Sequence, residues 1–294
     1  MQNAKPFVVV VVGAAAWLLT ACAAPVTSIQ PSTAVPAGTA SGSPSSQPPA
    51  SGGMIVLGHS GATGYNSDPG NPGTDARADS WASGTNPDVQ SIYSRLLAID
   101  PGIEGKVVNT AVDGSHVYDL DGQLDRALKQ QPSPRLVLIQ TVDNDISCDG
   151  SNEQNYGEFQ KTLTAVLQRI ASVSPTAKIV VVGTWATVAN YTDVVASLPD
   201  GKASRLTGSG PCDPFDAAGR RHPERMRYQQ DVFDHYQARL RAACKAVSAC
   251  HEDGGAVNKL KITGPDLAPD YNHLSIAGLR KQAATEWELV KSLL

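Results

Sequence analysis

Ser60 lies in Gly58-His59-Ser60-Gly61-Ala62-Thr63-Gly64, directly after the apolar run Met54-Ile55-Val56-Leu57. A small-residue turn at the end of a strand holds a hydroxyl above the sheet edge and leaves neighbouring backbone N–H groups open to an anion. Those are the needs of a serine nucleophile that supplies part of its own oxyanion hole. Taken alone, the segment reads equally well as an ordinary Gly/Ser turn. Three more polar segments punctuate the chain: Asn109-Thr110-Ala111-Val112-Asp113-Gly114-Ser115, Thr141-Val142-Asp143-Asn144-Asp145 and Asp270-Tyr271-Asn272-His273. A serine hydroxyl is a weak nucleophile at its free pKa and needs a base. His273 supplies one, with a carboxylate three residues earlier to fix the imidazole tautomer. Each residue also has a plainer role. Asp270 suits a helix cap, Asn144 and Asp145 suit turns bonded to their own backbone, and Gly114 suits a positive φ.

The elements that would position these residues are legible from periodicity. Met54-Ile55-Val56-Leu57, Lys106-Val107-Val108-Asn109, Arg135-Leu136-Val137-Leu138-Ile139 and Lys178-Ile179-Val180-Val181-Val182 are continuous apolar runs, as strands covered on both faces should be, and Leu260-Lys261-Ile262 is a weaker fifth. Helical patterns cover about 87–99, 120–130, 155–173, 223–247 and 275–293. This alternation predicts an α/β fold, a three-layer α/β/α sandwich of flavodoxin-like type around a mostly parallel five-stranded sheet. Ligands of such sheets bind beyond the C-terminal strand ends, where the polar segments fall. The irregular stretch 184–222 reads as a lid or binding surface, and 66–86 as a second pocket wall. Trp81 and Trp185 are candidates for an acyl or sugar site, with core packing the role of at least one.

In order and content the four polar segments resemble the four sequence blocks of the SGNH hydrolase (GDSL-type esterase) superfamily: a Gly-Asp-Ser turn, a Gly after a strand, a Gly-x-Asn-Asp and a final Asp-x-x-His. The resemblance spans 54–294. It implies Ser60 as nucleophile, His273 as general base and Asp270 as the carboxylate that orients it. It also implies an oxyanion hole from the N–H groups of Ser60 and Gly114 with the Asn144 amide, and no metal or cofactor. His59 stands where the family usually has Asp, and Val142 where it usually has Gly; neither position supplies a catalytic atom there. The G-x-S-x-G elbow of α/β-hydrolases is nearly matched by residues 58–62. That elbow, however, sits mid-domain after several strands, whereas here only a low-complexity segment precedes Ser60.

Residues 1–22 read as a signal segment, with Lys5 ahead of the apolar stretch Phe7 to Leu19, which is short for a bilayer span. Leu19-Thr20-Ala21-Cys22 resembles the lipobox of bacterial lipoproteins, which implies lipidation at Cys22; ordinary signal cleavage nearby is the alternative. Residues 23–53, rich in Ser, Pro and Ala, read as a disordered tether, and 54–294 as one domain. The remaining cysteines, Cys148, Cys212, Cys244 and Cys250, are an even set in an oxidising compartment. Two disulfides are the expectation, with three possible connectivities. Cys244 and Cys250 are near enough to pair locally, leaving Cys148 with Cys212, while a zinc site lacks C-x-x-C or H-x-x-x-H spacing.

A net charge of −4 gives no electrostatic case for nucleic acid. His222 with Arg220, Arg221 and Arg225 forms a basic cluster that reads as solvated surface or as a site for an anion. His116 is a candidate pocket residue and His59 a structural one. The whole is read as an extracytoplasmic, monomeric esterase, lipid-anchored through Cys22 or secreted. Its partners would be the membrane and an ester that is either a small molecule or an acylated envelope glycan or lipid. The other two readings are an acyltransferase using the same acyl-enzyme and a catalytically silent envelope-binding lipoprotein.

Overall fold

The computed structural model describes residues 52–199 and 208–294. The expected signal segment, Cys22, the tether up to residue 51 and residues 200–207 of the long loop lie outside them. Five strands, β1 (Gly53–Gly58), β2 (Val107–Asn109), β3 (Pro134–Gln140), β4 (Lys178–Val182) and β5 (Cys250–Glu252), form one sheet in the order β2-β1-β3-β4-β5. Every pairing is parallel.

The continuous apolar runs are explained by burial on both faces. Met54, Val56, Leu136, Leu138, Val180 and Val182 enter one core, against α2 (Ile92–Ile99), α5 (Val188–Ser197) and α7 (Ile276–Ser292). Ile55, Leu57, Val137, Ile139, Ile179 and Val181 enter the other, against α3 (Leu120–Gln130), α4 (Asn152–Val173) and α6 (Pro223–Lys245). Three layers result. No helix among the described residues is long and apolar enough to cross a membrane.

Three sequence expectations are corrected. The fifth strand is Cys250–Glu252, not Leu260-Lys261-Ile262. The Cys244–Cys250 disulfide ties the end of α6 to the start of this strand, which pairs Ile179 with Cys250. Ile262 instead gives its N–H to Asn190 Oδ1 at 2.9 Å. Second, the stretch 184–222 contains α5. Thr187 caps it, its hydroxyl accepting the Asn190 N–H at 3.2 Å, and Val188, Thr192 and Val195 bury one face at helical spacing. Third, α2 begins at Ile92 and not near Pro87, because Ser91 is the cap that accepts the Ser94 N–H at 3.1 Å.

The exit of β1 is tightly built. Gly58 has φ +138°, and a Cβ there would sit 2.3 Å from the Gln140 carbonyl of the adjacent strand, so only glycine fits. Gln123 of α3 clamps it, accepting its N–H at 2.7 Å and donating to its carbonyl at 2.9 Å. The residue that follows, His59, opens the one-turn helix α1 (Ser60–Thr63).

Candidate active site

Ser60 is the first residue of α1, where the backbone N–H has no partner within the helix. His273 and Asp270 lie on the turn before α7. That turn is held by the Ala268 N–H to His273 carbonyl bond (2.8 Å), by the Ser275 N–H to Asp266 carbonyl bond (2.9 Å), and by Tyr191, whose hydroxyl donates to the Tyr271 carbonyl at 2.6 Å. Ser275 caps α7, so Asp270 is free of that duty.

The three residues are brought into one chain of contacts. His273 Nε2 is 2.9 Å from Ser60 Oγ, and His273 Nδ1 is 2.6 Å from Asp270 Oδ2. Asp270 Oδ1 accepts the N–H groups of Asn272 (2.9 Å) and His273 (3.0 Å), while Oδ2 also accepts from Asn66 Nδ2 (2.6 Å). Burial opposes ionisation of Asp270. The hydrogen bonds from His273, Asn272 and Asn66 outweigh it and hold the carboxyl well below the usual carboxylate range. Tyr65 packs its ring on the imidazole, with centroids 4.9 Å apart.

Asn144 follows β3 in the same cavity, its Nδ2 donating to the Ser115 carbonyl at 3.0 Å. Gly114 belongs to that neighbouring loop. Its φ of +73° accounts for glycine, and it borders an adjoining hollow with Val112, Asp113 and Tyr118, not the cavity that holds Ser60. His116 stacks on Tyr118 and is absent from the lining of the Ser60 cavity. Val142, where glycine is usual in the resembled blocks, takes φ +103°, a conformation that costs a β-branched residue about 1–3 kcal/mol and is held here by burial of its side chain.

His59 is buried beneath the serine turn. Its Nδ1 accepts the Gly61 N–H at 3.1 Å, which places its proton on Nε2, and Nε2 faces Asp143 Oδ2 at 3.4 Å. Burial, helped by the charge of His273, lowers the His59 pKa to about 4, so it is neutral near pH 7. A third of the Asp143 side chain faces the cavity, yet the protein packed around it withholds enough water to push its carboxyl up to about 7 against the pull of His273.

The cavity has a volume of about 450 Å³ and is lined by Ser60, His273, Tyr65, Trp185, Tyr191 and Phe233 among others. Trp81 is in the core, where its Nε1 donates to Gln140 Oε1 at 2.6 Å. Cys148 is paired with Cys212, and both border the cavity. Arg221 is paired with Asp193 and Arg220 with Asp216, and Arg225 donates to the Gly208 carbonyl, so the three arginines of this cluster are engaged by their own surface, while His222 Nδ1 is buried without a partner. No group of His, Cys, Asp and Glu among the described residues is arranged to hold a metal ion.

Sequence reasoning missed Gln229 and Gln282, and it missed the roles of Asn66, which opens the stretch read as a pocket wall, and of Asp143. Asn66 lies 204 positions from the carboxylate it serves, and no local pattern marks it. Asp143 carried a signal, its place beside Asn144.

No family model and no curated protein matches this chain. Among solved structures, a GDSL-like lipase from Parabacteroides merdae aligns with a TM-score of 0.50 at 15% identity, over 83% of this chain and 96% of its own. The fold is that of a GDSL-like lipase, the SGNH hydrolase fold. An extracellular lipase from Streptomyces rimosus aligns at TM-score 0.49 and 15% identity, over 83% and 100% of the two chains. A carbohydrate esterase family 2 enzyme from Corynascus thermopiles aligns at 0.49 and 16%, over 82% and 66%. At 15% identity the likeness to the Parabacteroides merdae lipase is one of fold.

Proposed function

We propose that this chain is an SGNH-type serine ester hydrolase. The observation that carries the reading is the unbroken line from Ser60 Oγ through His273 to Asp270, at 2.9 and 2.6 Å, opening on a cavity.

In the first step His273 Nε2 takes the Ser60 proton as Oγ attacks the ester carbonyl carbon. Asp270 holds Nδ1 protonated and stabilises the imidazolium that forms. The carbonyl oxygen, now an oxyanion, receives hydrogen bonds from the Ser60 N–H and the Asn144 amide. The N–H of Gly114 is included on its motif position alone. Collapse of the intermediate breaks the bond to the alkoxy oxygen, which leaves as the alcohol with the proton from His273. Water, deprotonated by the same imidazole, then attacks the acyl-serine and releases the acid. The chain is further proposed to be exported and held at a membrane through lipid on Cys22.

The test is turnover of 4-nitrophenyl acetate by residues 52–294, and labelling by a fluorophosphonate. Both should vanish in Ser60→Ala, and labelling at another residue would sink the assignment. Metabolic labelling with an alkynyl fatty acid in a bacterial host should follow Cys22 and be lost in Cys22→Ser; persistence of the label would reject the anchor.

A further inference from the structure

The lining of the cavity is unevenly supplied with partners. Its charged lining residues other than the two histidines are Asp143 and Asp213, and no Lys or Arg lines it among the described residues. Asp213 is engaged in its own loop, where Oδ2 accepts the Gly210 N–H at 2.7 Å. Asp143 keeps only the long contact to His59 and offers its carboxyl to the cavity. Three further lining residues carry polar atoms with no hydrogen-bond partner, His59 at Nε2 being the first. Gln282 of α7 is fully buried with both Oε1 and Nε2 unpaired, and Gln229 of α6 is unpaired at Oε1.

Unpaired buried polar atoms cost about 1–3 kcal/mol each, a cost that a ligand recovers by supplying the missing bonds. Three of the five open positions are acceptors and two, His59 Nε2 and Gln282 Nε2, are donors, so the group that fits them both donates and accepts hydrogen bonds, as a hydroxyl does. A carboxylate or phosphate would meet two carboxylates and no cation. An alkyl chain would seal Asp143 away from water with nothing in return and leave the glutamine atoms unpaired. Trp185 and Tyr191, in edge contact with centroids 5.8 Å apart, add flat apolar surface on which a ring with hydroxyl edges can rest.

On this basis, and resting on the esterase reading above, we propose that the cavity selects esters of polyhydroxylated alcohols, with Asp143 the specificity-determining residue that reads a substrate hydroxyl. Its partly protonated state near neutral pH suits this, because a hydroxyl can pair with either form, whereas a cation needs the ionised one.

The test compares kcat/KM for methyl 6-O-acetyl-glucoside, glycerol monoacetate, hexyl acetate and acetylcholine, with 4-nitrophenyl acetate as the general ester. The glucoside should exceed hexyl acetate about tenfold, the worth of one well-made hydrogen bond. Asp143→Ala should bring that ratio to about one through KM, and Asp143→Asn should keep part of it. A ratio near one in the parent protein, a preference for hexyl acetate or acetylcholine, or an unchanged ratio in Asp143→Ala would overturn the proposal. Inactivity toward 4-nitrophenyl acetate as well would count against the esterase reading instead. In that event the polyol site is read by saturation-transfer NMR of Ser60→Ala with the glucoside. Binding lost on adding Asp143→Ala supports the proposal, and no binding, or binding that persists, overturns it.

Discussion

Replacing Asp270 with Asn tests the site at its most constrained atom. Asp270 Oδ1 accepts two backbone N–H groups, and Oδ2 accepts from Asn66 and faces His273 Nδ1, so all four contacts require an acceptor. An amide cannot satisfy this in either orientation. With its NH₂ toward the backbone it opposes two N–H donors. With its NH₂ toward His273 it opposes Asn66 Nδ2 and turns His273 Nδ1 into an acceptor. The imidazole proton then moves to Nε2, which donates to Ser60 Oγ and has no lone pair to receive the serine proton. The lost charge-assisted bond is worth about 3 kcal/mol, and the tautomer error adds roughly 1–2 kcal/mol. Together these predict a fall of about 10³–10⁴ in kcat with little change in KM. The assay is steady-state hydrolysis of 4-nitrophenyl acetate at pH 8, with near-UV circular dichroism to verify the fold. A variant within tenfold of the parent would refute the proposed role of Asp270.

Three further outcomes follow from other contacts. Asn66→Ala removes one 2.6 Å donor from Asp270 and should lower kcat about tenfold without moving KM, read in the same assay. Loss of the Cys148–Cys212 bridge, which spans 64 positions, should cost about 4 kcal/mol and raise KM, because both residues border the cavity. Loss of Cys244–Cys250, spanning 6, should cost about 2 kcal/mol and leave KM alone, both measured by denaturant melts of the Cys→Ser pairs. Asp143→Asn should stabilise the protein by about 1–2 kcal/mol at pH 8, after allowing for the third of the side chain that is solvated, and by nothing at pH 3.5. The sign follows because the unfolded chain releases this proton near pH 4 and the folded one near 7, so stability is lost as pH rises between them; a gain that instead grows on acidification would contradict it.

Legibility in the sequence followed the range of the interactions. Four strands were visible because burial on both faces leaves uninterrupted apolar runs, and the ends of α3 fell at the expected residues. β5 was not visible, because a three-residue edge strand reading Cys-His-Glu carries no apolar signature. α5 was overlooked because its β-branched residues resemble strand, although Thr187 ahead of Val188, Thr192 and Val195 is a cap followed by a helical stripe. In the site, Ser60, Asn144, Asp270 and His273 could be read because each sits within a short motif. Asn66, Gln229 and Gln282 owe their positions to packing between distant segments, which no local spacing encodes. Gly114 is the intermediate case: its conformation was legible from the sequence, but its place beside an adjoining hollow was not.

The residue at position 59 fixes the serine turn without carrying charge near pH 7. The bond that fixes the serine turn is made by His59 Nδ1 accepting the Gly61 N–H, and a carboxylate there could accept the same N–H. What differs is charge. His59 is neutral near pH 7, and the acidic group on that side of the cavity is Asp143, one residue before Asn144. The ionisable carboxyl lies across a 3.4 Å contact from His59 Nε2. His59→Asp would put two carboxylates in one site. At about 5 Å, since the shorter side chain stands back, their repulsion at an effective dielectric near 20 is about 3 kcal/mol. The single variant should therefore lose stability at pH 8 and recover it on acidification, when one carboxyl takes a proton. Adding Asp143→Asn should restore most of the loss at pH 8. A double-mutant cycle on unfolding free energies is expected to give a coupling of about 1–3 kcal/mol. Additivity within about 0.5 kcal/mol would show that positions 59 and 143 do not share one electrostatic site.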